Sequence, residues 1–375
     1  MTCRIWTTML SILVTVALLA PWTPAAEDAE DTIPLISELR KKDGAAEGTT
    51  QEEEKEVFPR TLTAREASLE AVDLLPAGAI AYAEALDGAG LTRDWRRTPV
   101  ARLLAEKEVQ RFLDENPLGF EALLQDLPQE YSASGLAELG EAGARILDSF
   151  MEIEGRISLV AYPGLADGPP RLLALVNIGH ERRPHYERLQ ELLGAILEGN
   201  AKLTLQAGDH HDDYVHVLRP TGAGAQGPML VVGFVRNFLV LGTDRRFALD
   251  LQTRAAGGGE GGSLSSGEAY TDLATKTPAD SQVRGFLDLA TLTANLANSK
   301  LANARSYAEF ATDLARRGAV YYDLRIRDGG AIEENITIPI VAGQDTSSLA
   351  ARLNMIGEKN AELGPGGLAS PRVLP

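Results

Sequence analysis

The sequence predicts an α+β protein built from antiparallel sheets with helices packed on one face. The organisation it suggests is a degenerate internal duplication giving two subdomains. Three observations carry this. Short apolar or alternating runs bounded by turn residues recur between residues 156 and 243: "RISLVAYPG", "PRLLALVNIG", "KLTLQA", "DYVHVL", "MLVVGFV" and "FLVLGT". Such runs read as strands. Amphipathic segments lie between them; after Pro184, the residues Tyr186, Leu189, Leu192, Leu193, Ile196 and Leu197 recur at helical spacing. Beyond a Gly/Ser-rich stretch at Gly257–Gly267 the order of elements begins again.

The chain opens with a positive Arg4, an apolar run from Ile5 to Ala20, and the small-residue stretch "PWTPAA" before "EDAED". That arrangement reads as a signal peptide over residues 1–26, with cleavage after Ala25 or Ala26. The alternative is an uncleaved anchor, but the 16-residue run contains four hydroxyl residues and a spanning helix needs about 20. The expected location is therefore periplasmic or extracellular. Membrane contact is expected only through an uncleaved signal segment, if at all.

Cys3, the one cysteine, precedes the apolar run. Once the signal is removed no thiol remains, which excludes disulfides, zinc–thiolate sites and thiol catalysis. Residues 27–60 are rich in acids and poor in large apolar side chains, the composition of a solvated, disordered linker. The net charge of −17 opposes a nucleic-acid partner, which needs a basic face to displace counterions.

The folded body is expected from about Leu74, with a first subdomain over 74–256. "AIAYAEAL" reads as a strand. "TPVARLLAEKEVQRFLDE" reads as a helix with Thr98 as N-cap and Pro99 at its first position, its apolar stripe formed by Val100, Leu103, Leu104, Val109, Phe112 and Leu113. Trp95 fits the staple residue ahead of that cap. Arg236-Asn237 reads as a tight turn between two strands, and "RRFALDLQTRA" as a helix.

Residues 257–267 read as a flexible loop. A second, reduced subdomain over 268–357 follows: the strand "QVRGFLDL", helices in "TLTANLANSKLA" and "SYAEFATDLARR", the hairpin "AVYYDLRIR"–"DGG"–"AIEENITIPI", and the helix "TSSLAARLNMI". Its sheet is either reduced, completed by strands of the first half, or completed by a neighbouring subunit at an open edge. In the alternating run around Tyr321 and Tyr322 one ring should face the core. Residues 358–375 read as a disordered tail.

The densest polar cluster is "GDHHDDYVHVL". His210, His211, Asp212 and Asp213 read first as a hydrated hairpin tip. In the strand that follows, Val215 and Val217 face one way and His216 and Leu218 the other. His210 and His216 stand about 20 Å apart if the strand is continuous, too far to share an ion. The second reading is a metal site in which His180 or His185 folds within reach of His210, His211 or Asp213. His180 and His185 are five apart, which is not the i, i+4 spacing of a helical metal pair. "GAGAQG" matches the form of a dinucleotide loop, at Gly222, Gly224 and Gly227, but runs into Pro228 and a strand instead of a helix. No catalytic residues, no enzyme activity and no cofactor are expected.

Two stretches carry a resemblance. Residues 74–113 pair a "LLPAGAIAYAEAL" entry with a "DWRRTPVARLL" helix. Residues 237–289 join "NFLVLGTDRRFALDLQTR" to "SLSSGEAYTDLATKTPADSQVRGFLDL". Both resemble parts of a family of uncharacterised exported bacterial proteins carrying a domain of unknown function. The resemblance covers about half of the chain and implies an exported α+β domain. Its motifs are caps, turns and core strands, so it supplies no site residues.

The functional expectation is an exported, non-enzymatic binding or envelope-associated protein whose partner is a protein, an envelope component or a small ligand. The alternatives are a metal-binding protein or metal-dependent hydrolase using the histidine cluster, and a structural envelope protein or oligomer.

Overall fold

The structure, a computed structural model, describes residues 61–109, 111, 136–164, 171–206, 215–222, 228–259, 261–297 and 318–339. The expected signal peptide, acidic linker and C-terminal tail lie outside them, as do the helices read in "SYAEFATDLARR" and "TSSLAARLNMI".

Two short helices come first, α1 (Ala64–Ala67) and α2 (Ala71–Leu74), ahead of the expected start of the fold. Thr63 and Glu66 form a reciprocal capping box that starts α1. The described order then runs β1 (Ala81–Ala85), α3 (Gly88–Arg97), α4 (Pro99–Leu104), α5 (Leu136–Phe150), β2 (Ile157–Tyr162), β3 (Arg171–Asn177) and α6 (Arg182–Gly199). Strands β4 (Leu203–Gln206), β5 (Val215–Pro220), β6 (Leu230–Val235) and β7 (Phe238–Gly242) follow. The chain continues with α7 (Arg245–Ala255), a 3-10 turn (Leu264–Ser266), α8 (Glu268–Lys276), β8 (Val283–Asp288), α9 (Leu289–Ala297), β9 (Ala319–Ile326) and β10 (Ile332–Thr337).

All ten strands join one antiparallel sheet in the order β10-β9-β8-β1-β2-β3-β7-β6-β5-β4. The antiparallel α+β class is as the sequence predicts. The two halves, however, do not carry separate sheets: β8 pairs with β1 along its whole length, so strands of the first half complete the sheet of the second. The order is symmetrical about that pair, with β1-β2-β3 running outward on one side and β8-β9-β10 on the other. The repeated strand–helix–strand-pair order seen in the sequence thus maps onto two triplets placed back to back at the β1/β8 junction.

At that junction Ala83 faces Gly285. A Cβ on Gly285 would collide with the Tyr82 carbonyl oxygen and stand 3.0 Å from Ala83 Cα. Only glycine permits this approach.

The expectation of helices on one face needs correction, because both faces are covered. Ala81, Ala83 and Ala85 of β1 pack toward α3, α5 and α6, through Leu91, Ile146, Phe150, Leu189 and Leu193. Tyr82 points to the opposite face, where α2, α7, α8 and the 3-10 turn contribute Leu74, Phe247, Leu251, Leu273 and Leu264. This explains the patterning: β1, β2, β6 and β7 are buried at every position, and their sequences are apolar throughout except for Glu84 in β1 and Ser158 in β2. Only the two edges, β4 and β10, expose alternate residues or more.

The Gly/Ser-rich stretch is not a free loop. Ser263 bridges Pro76, Leu264 N–H donates to the Leu75 carbonyl at 2.7 Å, and the Leu264 side chain is 2 % exposed. Its glycines supply positive φ at Gly257, Gly259 and Gly261, letting the chain leave α7 and dock against the entry to β1. Arg236 takes a positive φ in the β6–β7 turn. Asn237 beside it is fully buried and donates to the carbonyls of Ala67 and Leu69 at 3.3 and 3.2 Å.

Thr98 caps α4 as expected, its hydroxyl accepting from Ala101 N–H, with Pro99 at the first position. The start of the apolar stripe that follows it does not pack inward: Val100 is 44 % and Leu103 53 % exposed, while Phe112 and Leu113 lie outside the described residues. No helix of the described residues is long and apolar enough to cross a membrane.

Candidate functional site

The sheet places two unlike rows side by side on the face covered by α2, α7 and α8. One is aromatic: Tyr82 of β1, Phe286 of β8 and Tyr321 of β9 are cross-strand neighbours, with the Tyr82 and Phe286 rings 5.9 Å apart. Tyr270 of α8 meets Tyr82 edge-on at 5.6 Å. The next row is polar and crosses five strands in register: Ser158, Glu84, Arg284, Asp323 and Asn335.

Glu84 is fully buried, which is tolerable only with partners. Arg284 Nε donates to its Oε1 at 2.6 Å, the Tyr82 hydroxyl donates to its Oε2 at 2.9 Å, and Arg156 Nε lies 3.6 Å from Oε2. Arg156 in turn reaches Glu70 at 2.7 Å. Asp323, 2 % exposed, accepts from Asn335 at 3.0 Å and lies 3.6 Å from Arg325. Burial, and then the Glu84 charge, push the Tyr82 hydroxyl well above the usual phenol range. It therefore remains a donor. Every polar group of this row is tied to a neighbour, so the row fixes strand register and sheet-to-helix docking.

A cleft opens on the same face where β2 ends and α7 begins. Its volume is about 520 Å³, and its walls include Tyr162, Pro163, Arg171, Arg246, Phe247 and Asp250. That size lies within the usual range of small-molecule sites, roughly 300–1,000 Å³. The Tyr162 and Phe247 rings meet edge-to-face at 4.8 Å. Tyr162 donates its hydroxyl to the Pro76 carbonyl at 2.6 Å, and burial drives that hydroxyl far above its ordinary value. It is thus a fixed donor and not a proton-transfer group. Arg171 lies over both rings, 4.9 Å from the Phe247 centroid and 5.9 Å from that of Tyr162, and its Nε donates to the Pro163 carbonyl at 3.1 Å.

Arg246 is exposed in the first turn of α7. Among the described residues neither Arg171 nor Arg246 has a carboxylate within ion-pair distance. Asp250, across the cleft, accepts from Arg254 at 3.1 Å. A second, smaller hollow of about 220 Å³ lies between α3 and the turn before β8. Its carboxylates are engaged: Asp87 caps Gly90, Asp94 accepts from Gln282 at 2.7 Å, and Asp280 pairs with Arg325 and Arg327.

The predicted histidine cluster divides. His210, His211, Asp212 and Asp213 lie outside the described residues. His180 is exposed, with Nε2 3.8 Å from Glu181. His185 sits within α6 against Phe150, ring centroids 6.1 Å apart, and burial and then Arg188 lower its pKa below the usual histidine value. His216 is buried on the face the alternation predicts, with Nε2 3.1 Å from the Gln190 amide nitrogen of α6. Val215 and Val217 pack on the other side with Val231 and Ala248. Among the described residues no three His, Cys, Asp or Glu side chains are placed to hold a metal ion. Residues 223–227 of the "GAGAQG" match also lie outside the description, and the chain beyond them enters β6.

The cleft residues were not singled out by sequence reasoning. The available signals were slight: Arg171 is the one charge at the head of the apolar run "RLLALV", and Arg246 follows the N-cap Asp244 in "DRRFALD". No family model, no curated protein and no solved structure matches the chain.

Proposed function

We propose that this chain is an exported, non-enzymatic binding protein whose ligand occupies the cleft between β2 and α7. The observation that carries the reading is the cleft wall itself. It pairs aromatic and proline surface with two arginines that have no carboxylate partner among the described residues. In a protein of net charge −17, two arginines in one aromatic cleft form a local positive site for an anionic ligand. The polar groups lining the cleft suit holding a ligand better than transforming it: the Tyr162 hydroxyl is committed to a carbonyl and Asp250 to Arg254. Export rests on the N-terminal pattern of Arg4, the apolar run and "PWTPAA". Envelope association is part of the same reading, with the acidic segment 27–60 as a spacer.

Comparative melting tests it. A ligand that binds only the folded state raises its stability by RT ln(1 + [L]/Kd), about 2.7 kcal/mol at a hundredfold excess over Kd. Protein purified from an exporting host should therefore melt several degrees higher than the same protein after denaturation, dialysis and refolding. Identical melting temperatures, with full recovery of folded protein, would count against a resident ligand.

A further inference from the structure

We propose that the cleft selects a ligand bearing an oxyanion, a carboxylate or phosphate, joined to a small apolar body. This rests on the binding-protein reading above and specifies its chemistry.

The guanidinium of Arg171 is held in place before any ligand arrives. Its Cζ stands 4.9 Å from the Phe247 ring centroid and 5.9 Å from that of Tyr162, and its Nε donates to the Pro163 carbonyl. Among the described residues its two terminal amino groups have no acceptor. With Nε engaged, the two terminal amino groups still match an oxyanion in a fork of parallel hydrogen bonds. Because these ring contacts and the hydrogen bond to Pro163 are already in place, little side-chain entropy is lost when the anion binds. Arg246 lines the same cleft from the first turn of α7, so it adds a second positive charge at the helix end that favours anions. The remaining surface, from Pro76, Pro163 and the ring edges, is apolar and accommodates a hydrocarbon or ring substituent. Asp250, also in the wall and paired with Arg254, opposes a second negative group on its side. That arrangement favours one oxyanion over a polyanion.

Calorimetry at low ionic strength with the full mature chain provides the test. Benzoate and phenyl phosphate serve as soluble probes, benzyl alcohol as the neutral counterpart, and phosphatidylglycerol vesicles as the headgroup source. At least one soluble anion should bind with Kd below about 1 mM, and benzyl alcohol should bind at least tenfold more weakly. Arg246→Ala removes an exposed side chain and should weaken anion binding about tenfold or more. Arg171→Met keeps apolar contact with the rings and should weaken it by a similar factor. If the vesicles also bind, with the same loss in both variants, a lipid headgroup is a source of the same oxyanion.

Binding of benzyl alcohol as tight as benzoate, unchanged in Arg246→Ala, would overturn the oxyanion assignment while leaving the cleft as a binding site. Absence of heat from both soluble anions would overturn it too, whether or not vesicles bind. A native protein that melts higher than its refolded form would still support a resident ligand in either case.

Discussion

Glu84 and Arg284 face each other across the β1/β8 junction of the ten-stranded sheet, joined by a 2.6 Å hydrogen bond at a glutamate with no solvent exposure. The two residues come from opposite halves of the chain, so the pair is one of the contacts that join β1-β2-β3 and β8-β9-β10 into a single sheet.

Removing one partner leaves the other charge buried or half-buried without its counter-ion. Glu84→Ala should therefore destabilise the protein by about 3 kcal/mol or more. Replacing both partners with methionine should recover much of that loss, since an apolar pair needs no compensation. Urea denaturation of the two single variants and the double variant checks this. Additive losses would show that the pair is not the coupling unit.

Gly285 faces Ala83 with no room for a side chain. Gly285→Ala should cost about 1–3 kcal/mol or prevent folding, although alanine is favoured over glycine in a regular strand. Soluble yield and thermal melting decide it, with Gly194→Ala as a control, where a Cβ meets nothing within 4 Å.

Leu264 should behave as a core residue despite lying in a Gly/Ser-rich stretch. Leu264→Ala should cost about 2–5 kcal/mol, against less than about 0.5 for a residue in a solvated loop. A denaturation midpoint equal to that of the parent would show that the stretch does not dock against Leu75.

The His185 ring has its pKa lowered by burial and by Arg188, so the unfolded chain takes up the proton more readily than the folded one. The stabilising contribution of the neutral ring is present above the unfolded value of about 6.5 and is lost as pH falls below it. His185→Gln should therefore lose less stability than the parent between pH 7 and pH 5. Equal slopes of melting temperature against pH in the two proteins would contradict this.

Much of the fold was legible because its elements announce themselves locally. The Thr98–Pro99 cap, the Arg236-Asn237 turn, the four strands from Leu203 to Gly242 and the alternation that buries Val215 opposite His216 all depend on neighbours in sequence. The single sheet was not legible as such: pairing of β1 with β8 is a contact across 200 residues, and continuous apolar strands do not reveal which face is covered. The docking of Leu264 was hidden by composition, since its glycines signal a loop whether or not a side chain beside them is buried. Arg171 shows the same difficulty for the site. Its role depends on rings from β2 and α7 that meet only in the fold. The histidine cluster drew attention because it is dense in sequence, whereas the cleft is assembled from residues 76 to 250.

Mass spectrometry of the small molecules released on denaturation addresses the central claim most directly, with the parent protein and an Ala77→Trp variant purified side by side from the exporting host. Ala77 is exposed on the cleft wall, so an indole there fills the space without disturbing the core. A released organic anion from the parent, absent or at least tenfold reduced in Ala77→Trp, is the result expected of a cleft-binding protein. Release of the same compound in equal amount from both would contradict it.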